Sequence, residues 1–324
     1  MVTKRLRREE FDEAVKDEEL LILLSPNYPK CNVNCSYCAY RRGRHQNKKR
    51  ELVENLRMLR GMYIYARIEK KLEKQSIPKT LFFVPSAELF ISKFYRNMFI
   101  RLLNSPSISR CCFQTNLCWD IEGFLNRIDT SKLMLWVTFH PDQYTEQQKD
   151  QFYNNISILH NRGIKFSVGV VATKNRIKHL QEYKKTFNEL GAYMWINGVK
   201  GIGSYYSDKE KEIICSLDNM AQYEVELVQS RGLECSAGKD AIFIDPYGNI
   251  RRCVHVRKPR MGNILKDNIS PSQNSTPCPM DYCGCFISYM ILKKPEFSRI
   301  FGNTMICRLP LHAQDWQALH EYPG

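Results

Sequence analysis

The chain has 324 residues, 43% of them apolar and 25% charged, and a formal net charge of +14. This is the profile of a globular protein with room for a substantial core, so a mainly disordered chain and a small stapled scaffold are excluded. No run approaches the ~18 apolar residues of a membrane span, and the N-terminal MVTKRLRREE lacks an export signal's apolar stretch; the expectation is a cytoplasmic protein, away from membranes, whose 13 cysteines stay reduced.

In chain order, LLILLS (residues 20–25) predicts a buried strand, followed by the loop PNYPKCNVNCSYCAY. Residues 50–75 predict a helix. Further strands are predicted at 80–84, 110–114, 133–138, 164–171 and 193–197. Helices are predicted at 89–103, from 121, at 146–161 and near 176–190. Strand then helix, about six times over, implies a parallel sheet, and such sheets bind ligands at the C-terminal ends of their strands. Residues 208–230 read as one more helix. After Glu234 the pattern changes to short strands around a DPYGN turn (245–249) and a Pro/Ser/Asn-rich loop at 270–279. This places a boundary near residue 230, between domains of residues 1–230 and 231–324.

The cysteines fall in two dense groups, which suggests two metal centres. Cys31, Cys35 and Cys38 are spaced Cys-x3-Cys-x2-Cys in the loop after the first strand. Three thiolates with no fourth close by make an incomplete metal shell. An iron–sulfur cubane normally takes four cysteines, so three leave one iron open to a small molecule. The alternative is a zinc site completed by His45 or a distant cysteine. The second group is Cys235, Cys253, Cys278, Cys283 and Cys285. Cys111, Cys112, Cys118, Cys215 and Cys307 read as core or surface thiols.

CNVNCSYC after an apolar strand, opening a six-fold strand–helix series, resembles the radical S-adenosylmethionine enzymes over roughly residues 20–200. Their motif is Cys-x3-Cys-x-aromatic-Cys, and Tyr37 fills the aromatic place. The resemblance implies an α/β fold, a partial parallel (β/α)6 TIM-like barrel. It also implies a 4Fe-4S cluster whose open iron is chelated by S-adenosyl-L-methionine, the source of a 5′-deoxyadenosyl radical. The family usually carries Gly-Gly-Glu-Pro after the second strand; here the place reads Pro85-Ser86-Ala87-Glu88-Leu89. Glu88 keeps the acid for the cofactor ammonium, and small Ser86 and Ala87 let the backbone approach. The competing reading of Glu88 is an ordinary acid at a helix start. Thr115 and Asn116 match a Thr-Asn pair near the ribose, and Thr138 is placed near ribose or carboxylate. His140 is the candidate catalytic acid–base group. Residues 166–171 read first as a core strand, with the adenine face as the alternative.

The second cysteine group, with Gly248 between Cys235 and Cys253 and a repeated Gly-Asn-Ile, resembles the SPASM/twitch extension of the same enzymes. That implies a small C-terminal domain of β-hairpin and short helix holding an auxiliary 4Fe-4S cluster. Five cysteines suit the one-cluster twitch form, with Cys235 and Cys253 as ligands. Cys278 and Cys283, or Cys283 and Cys285, supply the rest.

Residues 41–50 carry six Lys/Arg and residues 251–260 carry five, with no acid in either run. The surplus suggests an anionic small molecule, nucleotide or peptide as substrate. The leading expectation is hydrogen abstraction from a small molecule or nucleotide, with an electron donor such as flavodoxin or ferredoxin. Two alternatives stand beside it: a peptide-modifying enzyme, and a non-catalytic zinc or iron–sulfur protein that binds nucleic acid.

Overall fold

In the computed structural model, which describes residues 19–38, 48–75, 77–199, 205–226, 228–284 and 300–311, the apolar runs become strands in the expected order. They are β1 (Leu20–Leu24), β2 (Lys79–Phe83), β3 (Arg110–Thr115), β4 (Leu133–Phe139), β5 (Lys165–Val171) and β6 (Met194–Asn197). The helices between them are α1 (Lys48–Glu73), α2 (Lys93–Asn104), the single turn α3 (Glu122–Leu125), α4 (Glu146–Asn161) and α5 (Leu180–Glu189). The helix expected over 89–103 is split, because Glu88 caps a separate 3-10 turn at Leu89–Ile91 before α2 begins. Neighbouring strands from β1 to β6 all pair in parallel.

Strand parity sorts the side chains onto two faces. One set, including Ile22, Leu81, Phe113 and Val137, packs against the helices. The other, including Leu23, Phe82, Cys112, Met134, Trp136 and Trp195, fills the interior of the curved sheet. Both faces are covered, which is why the strands read as continuous apolar runs.

The single helix expected over 208–230 is broken. Instead there are α6 (Asp208–Leu217), a 3-10 turn at Asn219–Ala221, the single turn α7 (Gln222–Val225) and strand β7 (Val228–Gln229). Asp218 makes the break. It is extended (φ −150°, ψ 102°), and its buried carboxylate accepts from Ile196 N at 2.7 Å and Met220 N at 3.0 Å. β6 ends the sheet, so its outward N–H lacks a strand partner, and Asp218 supplies the acceptor.

Beyond residue 230 come β8 (Glu234–Cys235), β9 (Ala241–Ile244), β10 (Asn249–Arg251) and β11 (Gly262–Asn263). β9 pairs in parallel with the outer edge of β1, Leu21 opposite Ala241 and Leu24 opposite Ile244. β10 and β11 then add antiparallel, so this hairpin is hydrogen-bonded into the barrel's own sheet. The DPYGN turn builds it: Asp245 Oδ1 accepts from the backbone N–H of Tyr247 and Asn249 at 2.9 and 3.0 Å, and Gly248 takes φ 80°. Residues 264–275 form turns and bends rather than the short helix the resemblance implies. Asp267 Oδ2 accepts from Asn263 N at 2.8 Å there, and the Ser/Asn/Pro-rich run that follows favours turns over helix.

Residues 300–311 return to the barrel interior. Their 3-10 turn (Gly302–Cys307) lies against β4 and β5. Ser167 donates to the Cys307 carbonyl, and the Cys112 thiol lies 3.6 Å from the Ile306 carbonyl. Arg308, at φ 51°, sits over the rings of Trp136 and Trp195 at 4.6 and 4.0 Å and pairs with buried Glu224. This packing leaves no room at Gly169 on β5, where a Cβ would overlap the Trp195 indole. Gly169→Ala is therefore expected to destabilise the fold by about 1–3 kcal/mol, read as a lower denaturant midpoint.

Candidate functional site

The C-terminal ends of β1 to β6 converge on a cavity of about 220 Å³. Cys31, Cys35, Tyr37 and Cys38 line it from the loop after β1. Ser86 and Glu88 line it after β2, Thr115 and Asn116 at the end of β3, and Thr138 and His140 at the end of β4. Of residues 166–171 only Val171 reaches it, the others belonging to the core. Gln114, Trp136, Asn197, Gly198 and Val199 also line the cavity, although nothing in the sequence reading singled them out. Parity was the available signal: Trp136, Thr138 and His140 are two apart and face the same way.

The cysteine loop is pinned by Asn32 rather than by its thiols. Asn32 Nδ2 donates to the Cys118 carbonyl at 2.8 Å, and Asn32 Oδ1 accepts from Asn116 Nδ2 at 2.6 Å. The Asn32 carbonyl accepts from Gln148 Nε2 at 3.0 Å. Gln148 belongs to the capping box that starts α4 with Thr145, so the helix start and the loop are built together.

Three thiols on a short loop at one cavity fit a cubane held by three cysteines. Among the described residues no three His, Cys, Asp or Glu side chains lie close enough to share a single ion. A cubane spreads its ligands over separate irons and does not need that. Cys118 is close enough to Cys31 to feel its charge, but its thiol is directed at the carbonyls of Asn116 and Gln148 at 3.3 and 3.7 Å, and it does not line the cavity. His45, the other zinc candidate, lies outside the described residues.

Glu88 is buried, 2% exposed, with donors around both oxygens. Phe90 N reaches Oε1 at 3.1 Å, Asn116 N reaches Oε2 at 2.6 Å, and the Thr115 hydroxyl lies 3.1 Å from each. The carboxylate thus clips the loop after β2 to the end of β3. Burial outweighs these donors and raises Glu88 to about 7.

His140 Nδ1 lies 2.5 Å from the Tyr37 hydroxyl and 3.4 Å from Cys35 Sγ. Burial first, and the nearby Arg176 guanidinium second, lower His140 to about 3, so its imidazole is neutral. Arg176, from the loop after β5, stands over the Tyr37 ring at 4.6 Å and pairs with Asp142, its Nε 2.5 Å from Oδ1.

In the second group, β12 (Thr276–Pro277) pairs with β8, setting Thr276 opposite Cys235. Cys278, next in the chain, is buried in the same apolar cluster as Cys235, and Cys253 packs against that cluster. Burial raises Cys235, whose thiol is close enough to feel both Cys278 and Cys253. Cys283 lies on β13 (Tyr282–Cys283), which pairs with β7. Cys285 lies outside the described residues, as does most of the first basic run. In the second basic run, Arg251 pairs with Asp245 at 2.5 Å, and Arg252 donates to the carbonyls of Pro277 and Thr276 at 3.3 and 3.1 Å. Those two charges serve the fold rather than a free basic surface.

No family model matches the chain, and no curated protein matches it. Among solved structures, anSMEcpe with bound AdoMet is similar at 14% identity and a TM-score of 0.52, over 78% of this chain and 79% of that one. The same protein with bound AdoMet and Cp18Cys peptide gives 14% identity and 0.51, over 78% and 79%. Streptococcus suis SuiB bound to S-adenosylmethionine gives 12% identity and 0.50, over 83% of this chain and 69% of that one. The likeness is one of fold: an α/β barrel resembling that of the radical S-adenosylmethionine proteins, with a C-terminal extension. No described helix is long and apolar enough to cross a membrane.

Proposed function

We propose that the chain is a radical S-adenosylmethionine enzyme that acts on a peptide. The observation that carries this reading is the convergence of Cys31, Cys35, Cys38, Glu88, Thr115, Asn116 and Thr138 on one cavity at the C-terminal end of a parallel barrel. When bound, the cluster and S-adenosylmethionine supply an electron and a 5′-deoxyadenosyl radical that takes hydrogen from the substrate. The chain's own part is to hold and orient. Cys31, Cys35 and Cys38 would hold three irons of the cluster. Glu88 and Ser86 would take the ammonium, while Thr115, Asn116 and Thr138 would take the ribose and carboxylate. Neutral His140 has its Nδ1 taken up by the Tyr37 hydroxyl, so we assign it a role in positioning Tyr37.

The peptide reading replaces the small molecule or nucleotide that was the leading expectation from the sequence. It is supported by the similar fold of anSMEcpe, solved with bound AdoMet and a peptide. For the auxiliary cluster we assign Cys235, Cys253, Cys278 and Cys283, because the fold brings the first three together. Flavodoxin or ferredoxin suits the electron supply.

The test is anaerobic reconstitution followed by dithionite and S-adenosylmethionine. A brown protein with about eight irons, two four-iron clusters per chain, and 5′-deoxyadenosine formation are expected. A colourless, zinc-loaded protein contradicts the reading and favours the non-catalytic alternative. Peptide pools should stimulate 5′-deoxyadenosine formation; stimulation by nucleotide pools alone overturns the peptide assignment.

Glu88 gives a pH-dependent prediction. Its carboxylate pairs with the cofactor ammonium only when ionised, so affinity should rise as pH rises through about 7. Glu88→Gln should weaken binding about tenfold at pH 8, the loss of one charge-assisted hydrogen bond. Below pH 6 the difference should shrink, because the wild-type group is then neutral as well. Apo stability carries the opposite sign. The folded value lies above the ordinary 4.5, so the native state binds the extra proton and loses stability as pH rises between the two. Calorimetric titration across this range checks both; a pH-independent gap returns Glu88 to its clip alone.

A further inference from the structure

Arg176 is a buried cation at the edge of the cysteine loop, only 2% exposed. Burying a guanidinium is costly unless it is paired, and a core position of this kind would ordinarily be apolar. Nη1 donates to the Val171 carbonyl at 3.3 Å, and both Nε, at 2.5 Å, and Nη2 meet Asp142 Oδ1. Asp142 is half-exposed, at 51%, so water screens its charge, while the guanidinium is shielded and stands over the Tyr37 ring at 4.6 Å.

Tyr37 conveys this to the loop. Its ring has Arg176 on one face at 4.6 Å and stacks with His140 at a centroid distance of 6.1 Å. It stands two residues after Cys35 and one before Cys38, so a fixed Tyr37 fixes the chain carrying both thiols.

We propose that Arg176 is a positioning residue for the first cysteine loop: it braces Tyr37 across the ring face, and its charge, trimmed by Asp142, sets how readily a cluster on Cys31, Cys35 and Cys38 accepts an electron. The inference rests on the cluster reading above. The couple is [4Fe-4S]2+ plus one electron giving [4Fe-4S]1+, with dithionite as the titrating reductant. Reduction adds negative charge, which a nearby cation stabilises and a nearby carboxylate opposes.

Two substitutions separate charge from packing. Arg176→Gln should shift the midpoint potential to a more negative value. Asp142→Asn, which keeps an oxygen acceptor for the guanidinium, should shift it to a more positive one. The readout is an anaerobic redox titration followed by electron paramagnetic resonance, using the signal that changes when S-adenosylmethionine is added. That signal separates the first cluster from the auxiliary one. Opposite shifts support the proposal. Unchanged potentials, or shifts of the same sign, overturn it and leave Arg176 as an anchor of the loop after β5, visible as lower apo melting temperatures only. If Arg176→Gln fails to fold, Asp142→Asn decides alone, and no positive shift overturns the proposal. A wild-type protein with no S-adenosylmethionine-sensitive cluster instead overturns the functional reading on which the proposal stands.

Discussion

Combining Cys31→Ala, Cys35→Ala and Cys38→Ala is expected to abolish cleavage of S-adenosylmethionine to 5′-deoxyadenosine under dithionite while leaving about half the iron. On the proposed function these thiols would hold the open-iron cluster, and no other cysteine lines the cavity among the described residues, so the loss should be complete. The Cys118 thiol, outside the cavity lining, is directed at two carbonyls. The remaining iron is expected on the distal group, which begins at Cys235 on β8 and shares no cysteine with the loop. Collapse of the barrel is not expected, since Asn32, Gln148 and Asn116 hold the loop through contacts the substitutions leave in place. Chromatographic assay of 5′-deoxyadenosine and an iron determination check the result. Retained cleavage would exclude this loop as the reaction centre.

The second large effect is expected from Cys235→Ala, Cys253→Ala and Cys278→Ala together. These residues lie away from the cavity lining, so formation of 5′-deoxyadenosine should persist, uncoupled from substrate. Product should fall below detection if, on the proposed function, an auxiliary cluster on these thiols serves turnover rather than radical generation. Loss of the small sheet is the competing outcome, since a cluster can hold its own ligand loops together. Circular dichroism and retention of about four irons distinguish the two. A folded variant that makes product at the normal rate contradicts the assignment.

What the sequence revealed follows from how local each signal is. β1 to β6 and α4 were legible because apolar runs, amphipathic stretches and the Thr145–Gln148 cap are written in adjacent residues. The cysteine loop was legible for the same reason. The break at Asp218 was not: residues on both sides continue a helical pattern, and the N–H that claims its carboxylate belongs to β6. Nor was the seat of β9. AIFI reads as a short strand, but nothing near residue 241 names β1 as its neighbour. Within the site, residues carried by motif spacing were found and those carried by parity or distant pairing were missed. Trp136 reads as core until its inward register is known, and Arg176 reads as a helix-start cation until Tyr37 is placed beneath it.

The return of residues 300–311 to the barrel interior has a consequence during synthesis. Cys112 and Ile306 meet although 194 residues separate them, and the Arg308 guanidinium closes over indoles made long before it. A ribosome therefore releases the six-stranded sheet with its inner face still bare, and must add more than a hundred residues before that surface is covered. Through this interval Phe82, Met134, Trp136 and Trp195 are open to chaperones and to other nascent chains. Slow decoding or early termination between β6 and residue 308 should thus harm yield far more than an equal delay upstream.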